Sequence, residues 1–338
     1  MGWLPGPPLV SFPVPRPLLL LLAGLWLALA GVLPAPGQDS VSVAHYNVQN
    51  YLVTDRYLPD EKRFATAAPK PEKSIAAMVA VIAKTNPDVL HVSEMGPPEM
   101  FADFRKRLAA AGLEYPETEY VQAADPHRHL AVVSRYPIVK RQSLTDLGFE
   151  LNGVREPVQR GFLDVTIRVR DGFEIRLLGA HLKSRRPVPQ GEALLRRNES
   201  ILLRRHMESI LKADPSAPLV LVGDLNDTKD QPSIKELIGV RGSPMYMADL
   251  WLRDPQGDRW THYWQTADEY SRIDYILVSP DVFRRIDFVR SGIDRSPNWE
   301  VASDHRLIYT TILAEPRKRA RKPATSSDQD PLPTPAAE

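Results

Sequence analysis

Apolar positions along the chain follow two alternating rhythms. Val41–Asn47 carries the two-residue period of a strand. Over 74–84, Ile75, Met78, Val79 and Ile82 recur at helical spacing, and Pro87-Asp88 closes that helix. Asp88–Glu94 is then an apolar run that reads as a buried strand. Residues 98–111 place Met100, Phe101, Phe104 and Leu108 on one side of a helix closed by Gly112. Strands are predicted at Leu130–Ser134, Phe162–Val169 and Glu174–Leu182, the last two as a hairpin turning at Asp171-Gly172. Glu192–Lys212 reads as a long helix, with Arg196, Arg197, Arg204 and Arg205 as its solvated side. Pro218–Gly223, Ile273–Val278 and Leu307–Leu313 are further apolar strands. Alternating helices and strands with hairpins among them predict an α/β domain with mixed sheets.

The ends differ from this middle. Residues 17–30 are apolar and uncharged behind Arg16. That run is shorter than the ~20 residues of a comfortable membrane span. Ala28-Leu29-Ala30 or Ala35-Pro36-Gly37 offers a small-residue cleavage site, so 1–37 is predicted to be a signal peptide, with an uncleaved anchor as the alternative. The expected destination is the periplasm or the cell exterior, with no span left after cleavage. Residues 315–338 lack apolar periodicity and read as a disordered tail with a basic start, leaving 38–314 as the folded domain.

Composition narrows the chemistry. An apolar share of 43% supports a large core. No cysteine is present, which excludes disulfides, thiolate nucleophiles and Cys-ligated metals, so any metal rests on oxygen or imidazole ligands. The net charge of +1 is low for a nucleic-acid binder and leaves a local patch as the route to a polyanion. No stable protein partner is expected.

Polar residues recur where the apolar strands end or begin: Asn47, Glu94, His181, Asp224 with Asn226, Asp274, and Asp304 with His305. Singly, each has an ordinary explanation. Asn47 suits a turn, Glu94 a solvated loop start, Asp224 and Asn226 an Asx-turn, Asp274 an ion pair with Arg272, and His305 a satisfied core position. Together they make a set of carboxylates, amides and imidazoles. The oxygens suit a hard cation, and the imidazoles suit proton transfer or charge stabilisation.

The ordered segments Tyr46-Asn47-Val48-Gln49-Asn50, Val92-Ser93-Glu94, Gly179-Ala180-His181-Leu182, Gly223-Asp224-Leu225-Asn226-Asp227, Arg272-Ile273-Asp274-Tyr275-Ile276 and Ser303-Asp304-His305-Arg306 resemble the endonuclease/exonuclease/phosphatase superfamily. The resemblance covers about 40–314. It implies a four-layer α/β sandwich, deoxyribonuclease I-like, with two stacked mixed sheets flanked by helices. It implies metal ligation by Asn47, Glu94 and Asp304, with Mg²⁺ as the ion and Mn²⁺ or Ca²⁺ as alternatives. His305 would be a general base or phosphate contact oriented by Asp274. Asp224 and Asn226 would position the attacking water and a phosphate oxygen, with His181 standing opposite. Lys183 and Trp264 are candidates for substrate contact.

Three departures limit the match. Gln49 stands where some apurinic enzymes carry a carboxylate. Asp268-Glu269-Tyr270-Ser271-Arg272 lacks the cysteine-containing signature of inositol 5-phosphatases. No long exposed aromatic hairpin of the sphingomyelinase kind is evident. The expected activity is an exported, metal-dependent phosphodiesterase that cleaves nucleic acid in the manner of an endonuclease. A phosphomonoesterase or sphingomyelinase-like enzyme, and a catalytically inactive binding module, are the alternatives.

Overall fold

Twelve strands build two six-stranded sheets in this computed structural model, which describes residues 1–2, 39–58 and 60–317. Met1–Gln38 and Asp39–Glu338 are separate units, and every element named below belongs to the second. The expected signal peptide over 1–37 lies outside the described residues apart from Met1 and Gly2. So does the expected tail beyond Arg317. Among the described residues no helix is long and apolar enough to cross a membrane.

The first sheet contains β1 (Ser40–Tyr51), β2 (Val89–Met95), β3 (Glu117–Val121), β4 (His129–Ser134), β11 (Ile286–Ile293) and β12 (Ile308–Leu313), in the order β11-β12-β1-β2-β4-β3. The second contains β5 (Ile138–Arg141), β6 (Phe162–Arg170), β7 (Phe173–His181), β8 (Leu219–Asp224), β9 (Ala248–Asp249) and β10 (Asp274–Val278), in the order β9-β10-β8-β7-β6-β5. Each sheet has one parallel pair at its centre, β1 with β2 and β7 with β8, and antiparallel pairs on both sides. Parallel neighbours need a crossover. Helix α1 (Glu72–Thr85) supplies it between β1 and β2, and α3 (Glu192–Ala213) supplies it between β7 and β8.

Period-two alternation sorts the apolar residues into layers. Val41, Val43, Val89 and Val132 of the first sheet meet Val165, Ile175, Leu177, Val220, Val222 and Ile276 of the second in the inter-sheet core. Ala44, Tyr46, Leu90 and Val92 face the other way and pack under α1 and α2 (Pro98–Ala110). Leu178, Ala180, Leu221 and Leu277 pack under α3 and α4 (Pro232–Ile238). The four-layer sandwich expected from the resemblance is the observed architecture. Short helices α5 (Pro280–Arg285) and α6 (Trp299–Ala302) precede β11 and β12.

One reading of α3 is corrected. Arg197 and Arg205 are exposed as expected, but Arg196 and Arg204 are buried. Arg196 Nε donates to Asp227 Oδ2 at 2.9 Å, and Arg204 Nη1 donates to the Leu237 carbonyl at 3.0 Å. Their partners come from the loop after β8 and from α4. Helical spacing within α3 carries no sign of either.

Candidate active site

Strand parity aims three of the site residues. On β7, β8 and β10 the core-facing residues Leu177, Val222 and Ile276 repeat every second position to reach His181, Asp224 and Asp274. Register then sets these three side by side: His181 pairs with Asp224, and Asp224 with Asp274. Gly223 permits the close packing here, because a Cβ on it would overlap the Ala180 carbonyl. From the opposite sheet, His45 and Asn47 continue the inward face of Val41 and Val43 on β1.

Glu94 arrives differently. Its parity is that of Leu90 and Val92, which would send it beneath the helices. The ladder is interrupted between Val92 and Met95, and on β1 between Asn47 and Tyr51. Glu94 holds φ 61°, with Gln49 at 45° and Asn50 at 53°. Left-handed backbone costs an L-residue roughly 1–2 kcal/mol. Bulges of this kind redirect a side chain, and here Glu94 Oε2 accepts the Asn50 N–H at 2.8 Å while Oε1 lies 3.4 Å from Asn47 Nδ2.

Asp224 is the centre of the cluster. Its Oδ2 accepts Asn47 Nδ2 at 3.0 Å, and its Oδ1 accepts the Asn226 N–H at 3.0 Å. His181 Nε2 lies 3.6 Å and His305 Nε2 3.7 Å from the same Oδ2. Burial lifts the Asp224 carboxyl to about 7 against the pull of the His305 charge. Asp274 goes the other way. Burial opposes its ionisation, but His305 and His45 hold it well below the usual carboxylate range. Its Oδ2 is 2.8 Å from His305 Nδ1, and Thr261 Oγ1 caps its N–H at 3.1 Å, so Asp274 does not pair with Arg272, which is committed to Asp249. His305 is driven well above an ordinary imidazole, since Asp274 and Asp224 overcome its burial. His181 falls well below, first through burial and then through the Arg160 charge. Two imidazoles of opposite protonation tendency thus flank one carboxylate.

Asp304 precedes His305 at the rim, 4.0 Å from His262 Nε2. Ser303 Oγ anchors this turn by donating to the Asn47 carbonyl at 2.8 Å. Arg306, stacked 4.1 Å over Trp260 and bonded to Asp254 at 2.8 Å, holds the turn from behind. Glu94 and Asp304 carry the accessible carboxylates, 18% and 38% exposed. Oxygen donors of this type fit a hard divalent cation. Among the described residues, the groups with atoms close enough to share an ion are Asp224, Asp274 and His305, and His262, Asp304 and His305; Glu94 belongs to neither. Asn47 turns its carbonyl to the Gln49 N–H at 3.0 Å and its NH₂ to Glu94 and Asp224. In this orientation it braces the carboxylates, and its Oδ1 keeps one lone pair beside the Gln49 N–H.

The remaining sequence candidates sit further out. Asn226, at φ 54°, donates from Nδ2 to the Leu182 carbonyl at 3.0 Å and ties the loops after β7 and β8 together. Lys183 turns Nζ back to Ser184 and the Arg186 carbonyl. Trp264 is 53% exposed on the 262–271 hairpin. A groove of about 500 Å³ beside Asp304 is lined instead by its neighbours Tyr263 and Gln265, with Arg56, Lys70 and Trp299. Lys70 is only 4% exposed, and its ammonium, lowered to about 8 by burial, finds the Gln49 carbonyl at 3.3 Å. Sequence reasoning passed over Lys70, Thr261, His262, His45 and His91. Only His45 carried a signal, two residues before Asn47 on the same strand face.

The fold has known counterparts. The human Nocturnin catalytic domain with bound sulfate superposes with a TM-score of 0.58 at 16% identity, covering 81% of this chain and 94% of that one. Zebrafish (D. rerio) TDP2 complexed with a single-strand DNA product gives 0.55 at 17% identity, covering 81% and 99%. Staphylococcus aureus beta toxin gives 0.55 at 16% identity, covering 80% and 99%. No curated protein sequence matches. The sequence profile of the endonuclease/exonuclease/phosphatase family matches residues 44–305, a span that starts beside His45 on β1, ends at His305 and takes in the second sheet and all of the first except β12 and the start of β1, and the chain belongs to that family.

Proposed function

We propose that this chain is an exported, Mg²⁺-dependent phosphodiesterase that cleaves nucleic-acid phosphodiester bonds by direct attack of water. Membership of a family of divalent-metal-dependent phosphoester hydrolases supports the reaction class. The observation that carries the mechanism is Asp224 Oδ2 held between His181 and His305, with Asp274 behind His305.

Glu94 and Asp304 would hold the cation, which when bound neutralises charge on the phosphoryl group. Asp224, poised near 7, takes the proton of the attacking water as its oxygen bonds to phosphorus. His305, kept cationic by Asp274, offers charge to the phosphoryl oxygens and a proton to the departing ester oxygen. His181, neutral and buried, donates a hydrogen bond without adding charge. The groove beside Asp304 brings Arg56, Lys70 and Lys73 together with Tyr57, Tyr263 and Trp299, a combination that can hold a strand of nucleotides, and Asp60 and Glu300 share its lining. The apolar segment at 17–30 supports export. A phosphomonoester or a phospholipid-type diester is the second reading, favoured by the net charge of +1. Side-by-side turnover of plasmid DNA, RNA, sphingomyelin and an aryl phosphomonoester separates the two. Preference for either of the last two would replace the nuclease assignment.

A further inference from the structure

Below the site the inter-sheet core is not apolar. His45 on β1 and His91 on β2 are register partners, both fully buried, one step beneath the pair Asn47 and Ser93 and one above Val43 and Val89. Their Nδ1 atoms are 2.9 Å apart. His45 Nε2 lies 3.0 Å from Asp274 Oδ1, the oxygen that His305 does not use. Among the described residues His91 Nε2 has no hydrogen-bond partner. It points at Gly179 on β7, where a Cβ would overlap the ring.

An apolar pair in this space would leave the buried Asp274 Oδ1 without its donor. Leaving a buried polar atom unsatisfied costs about 1–3 kcal/mol. We propose that His91 and His45 are positioning residues of the hydrolytic site, a relay that fixes the Asp274 carboxylate against His305. This deepens the phosphodiesterase reading and rests on it.

The directions of the bonds follow from the acceptor at one end. An ionised carboxylate only accepts, so His45 carries its proton on Nε2 and donates to Asp274. His45 Nδ1 is then bare and accepts, so His91 donates from Nδ1. The orphan is a lone pair on His91 Nε2 facing the Gly179 backbone. Asp274 is gripped by two imidazole donors, one on each oxygen, and cannot rotate to release His305. The four residues come from β1, β2, β10 and the turn before β12, so the relay spans both sheets.

The test uses the full chain and exploits which ring nitrogen an amide imitates. Gln places its NH₂ near the histidine Nε2 position, and Asn places it near Nδ1. His45→Gln therefore keeps the donor to Asp274 and His45→Asn does not. At position 91 the preference reverses. With bis(4-nitrophenyl) phosphate, His45→Asn and His91→Gln are expected to lose about 10- to 100-fold in kcat with KM nearly unchanged, the range for residues that orient a functional group from behind. His45→Gln and His91→Asn are expected to keep most of kcat. A space-filling role predicts the same preference at both positions, the larger Gln over Asn, and that result would overturn the relay. Nitrogen-15 NMR of histidine-labelled wild-type protein reads the tautomers with no need for turnover or variants. Nε2–H on His45 with Nδ1–H on His91 upholds the relay, and Nε2–H on His91 overturns it. Wild-type protein that hydrolyses nothing sinks the phosphodiesterase reading alone, because the tautomers still decide the geometry.

Discussion

Asp164 on β6 and Asp224 on β8 are buried carboxylates of the same sheet, and they have opposite characters. Asp164 accepts Arg176 Nε at 2.8 Å and Nη2 at 2.5 Å, with His206 Nε2 at 2.7 Å. Burial opposes its charge, but His206 and Arg176 prevail and its pKa falls. Asp224 accepts only a neutral amide and a turn N–H, keeps its imidazoles beyond 3.5 Å, and rises to about 7. The first has its charge fully answered and is structural. The second is left short of positive charge, and that deficit is what a proton acceptor or a cation-binding site requires. Burial is common to both; incomplete compensation separates them.

His305→Ala should lower kcat/KM by about 10⁴-fold, at the upper end of what a proton-transfer group supplies, in a bis-aryl phosphate assay with unchanged circular dichroism. Asp224→Asn should cost about 10³-fold in the same assay while raising the melting temperature at pH 8, where the buried carboxylate is otherwise forced to ionise. Asp164→Asn should do the reverse. It unbalances Arg176 and His206 and should cost about 3 kcal/mol in denaturant unfolding, with kcat per folded molecule intact. An Asp164 variant that loses catalysis, or an Asp224 variant that loses stability, would erase the distinction.

A smaller effect sharpens it through pH. A carboxyl raised to about 7 in the folded chain and near 3.9 when unfolded binds its proton more tightly when folded. Its contribution to stability is full below about pH 4 and is lost as pH rises through about 7. Between those limits the slope is about −1.4 kcal/mol per pH unit for each such group. Glu199, also raised to about 7 by burial, contributes with the same sign. Metal-free Asp224→Asn should therefore show a slope reduced by one proton's worth, and Asp224→Asn with Glu199→Gln a slope reduced by two. Smallest is Lys70→Met, which should raise KM for an oligonucleotide several-fold and leave kcat for a small aryl diester unchanged.

Much of this was legible in the sequence, for a physical reason. Parity and register are local rules, so the polar ends of Leu219–Asp224 and Asp274–Val278 announced side chains that the sheet then set side by side. The order of the six motifs carried the fold. What was not legible depended on long-range partners or broken regularity. Glu94 needed a bulge and a left-handed backbone to reach the site. Arg196 and Arg204 looked solvated because Asp227 and the Leu237 carbonyl lie 31 and 33 residues away. His45 and His91 are 46 residues apart, and no period links them. β11 escaped notice because it is an edge strand with exposed Phe288 and Val289.

In the proposed reaction Asp224, flanked by His181 and His305, serves a metal-dependent hydrolysis of phosphodiesters. Its most direct test is the release of 4-nitrophenol from bis(4-nitrophenyl) phosphate by the full chain, measured with Mg²⁺, with chelator, and with His305→Ala. Turnover with Mg²⁺ that chelator abolishes and the variant lacks is the expected result. Turnover that persists in chelator, or that survives in His305→Ala, would contradict it.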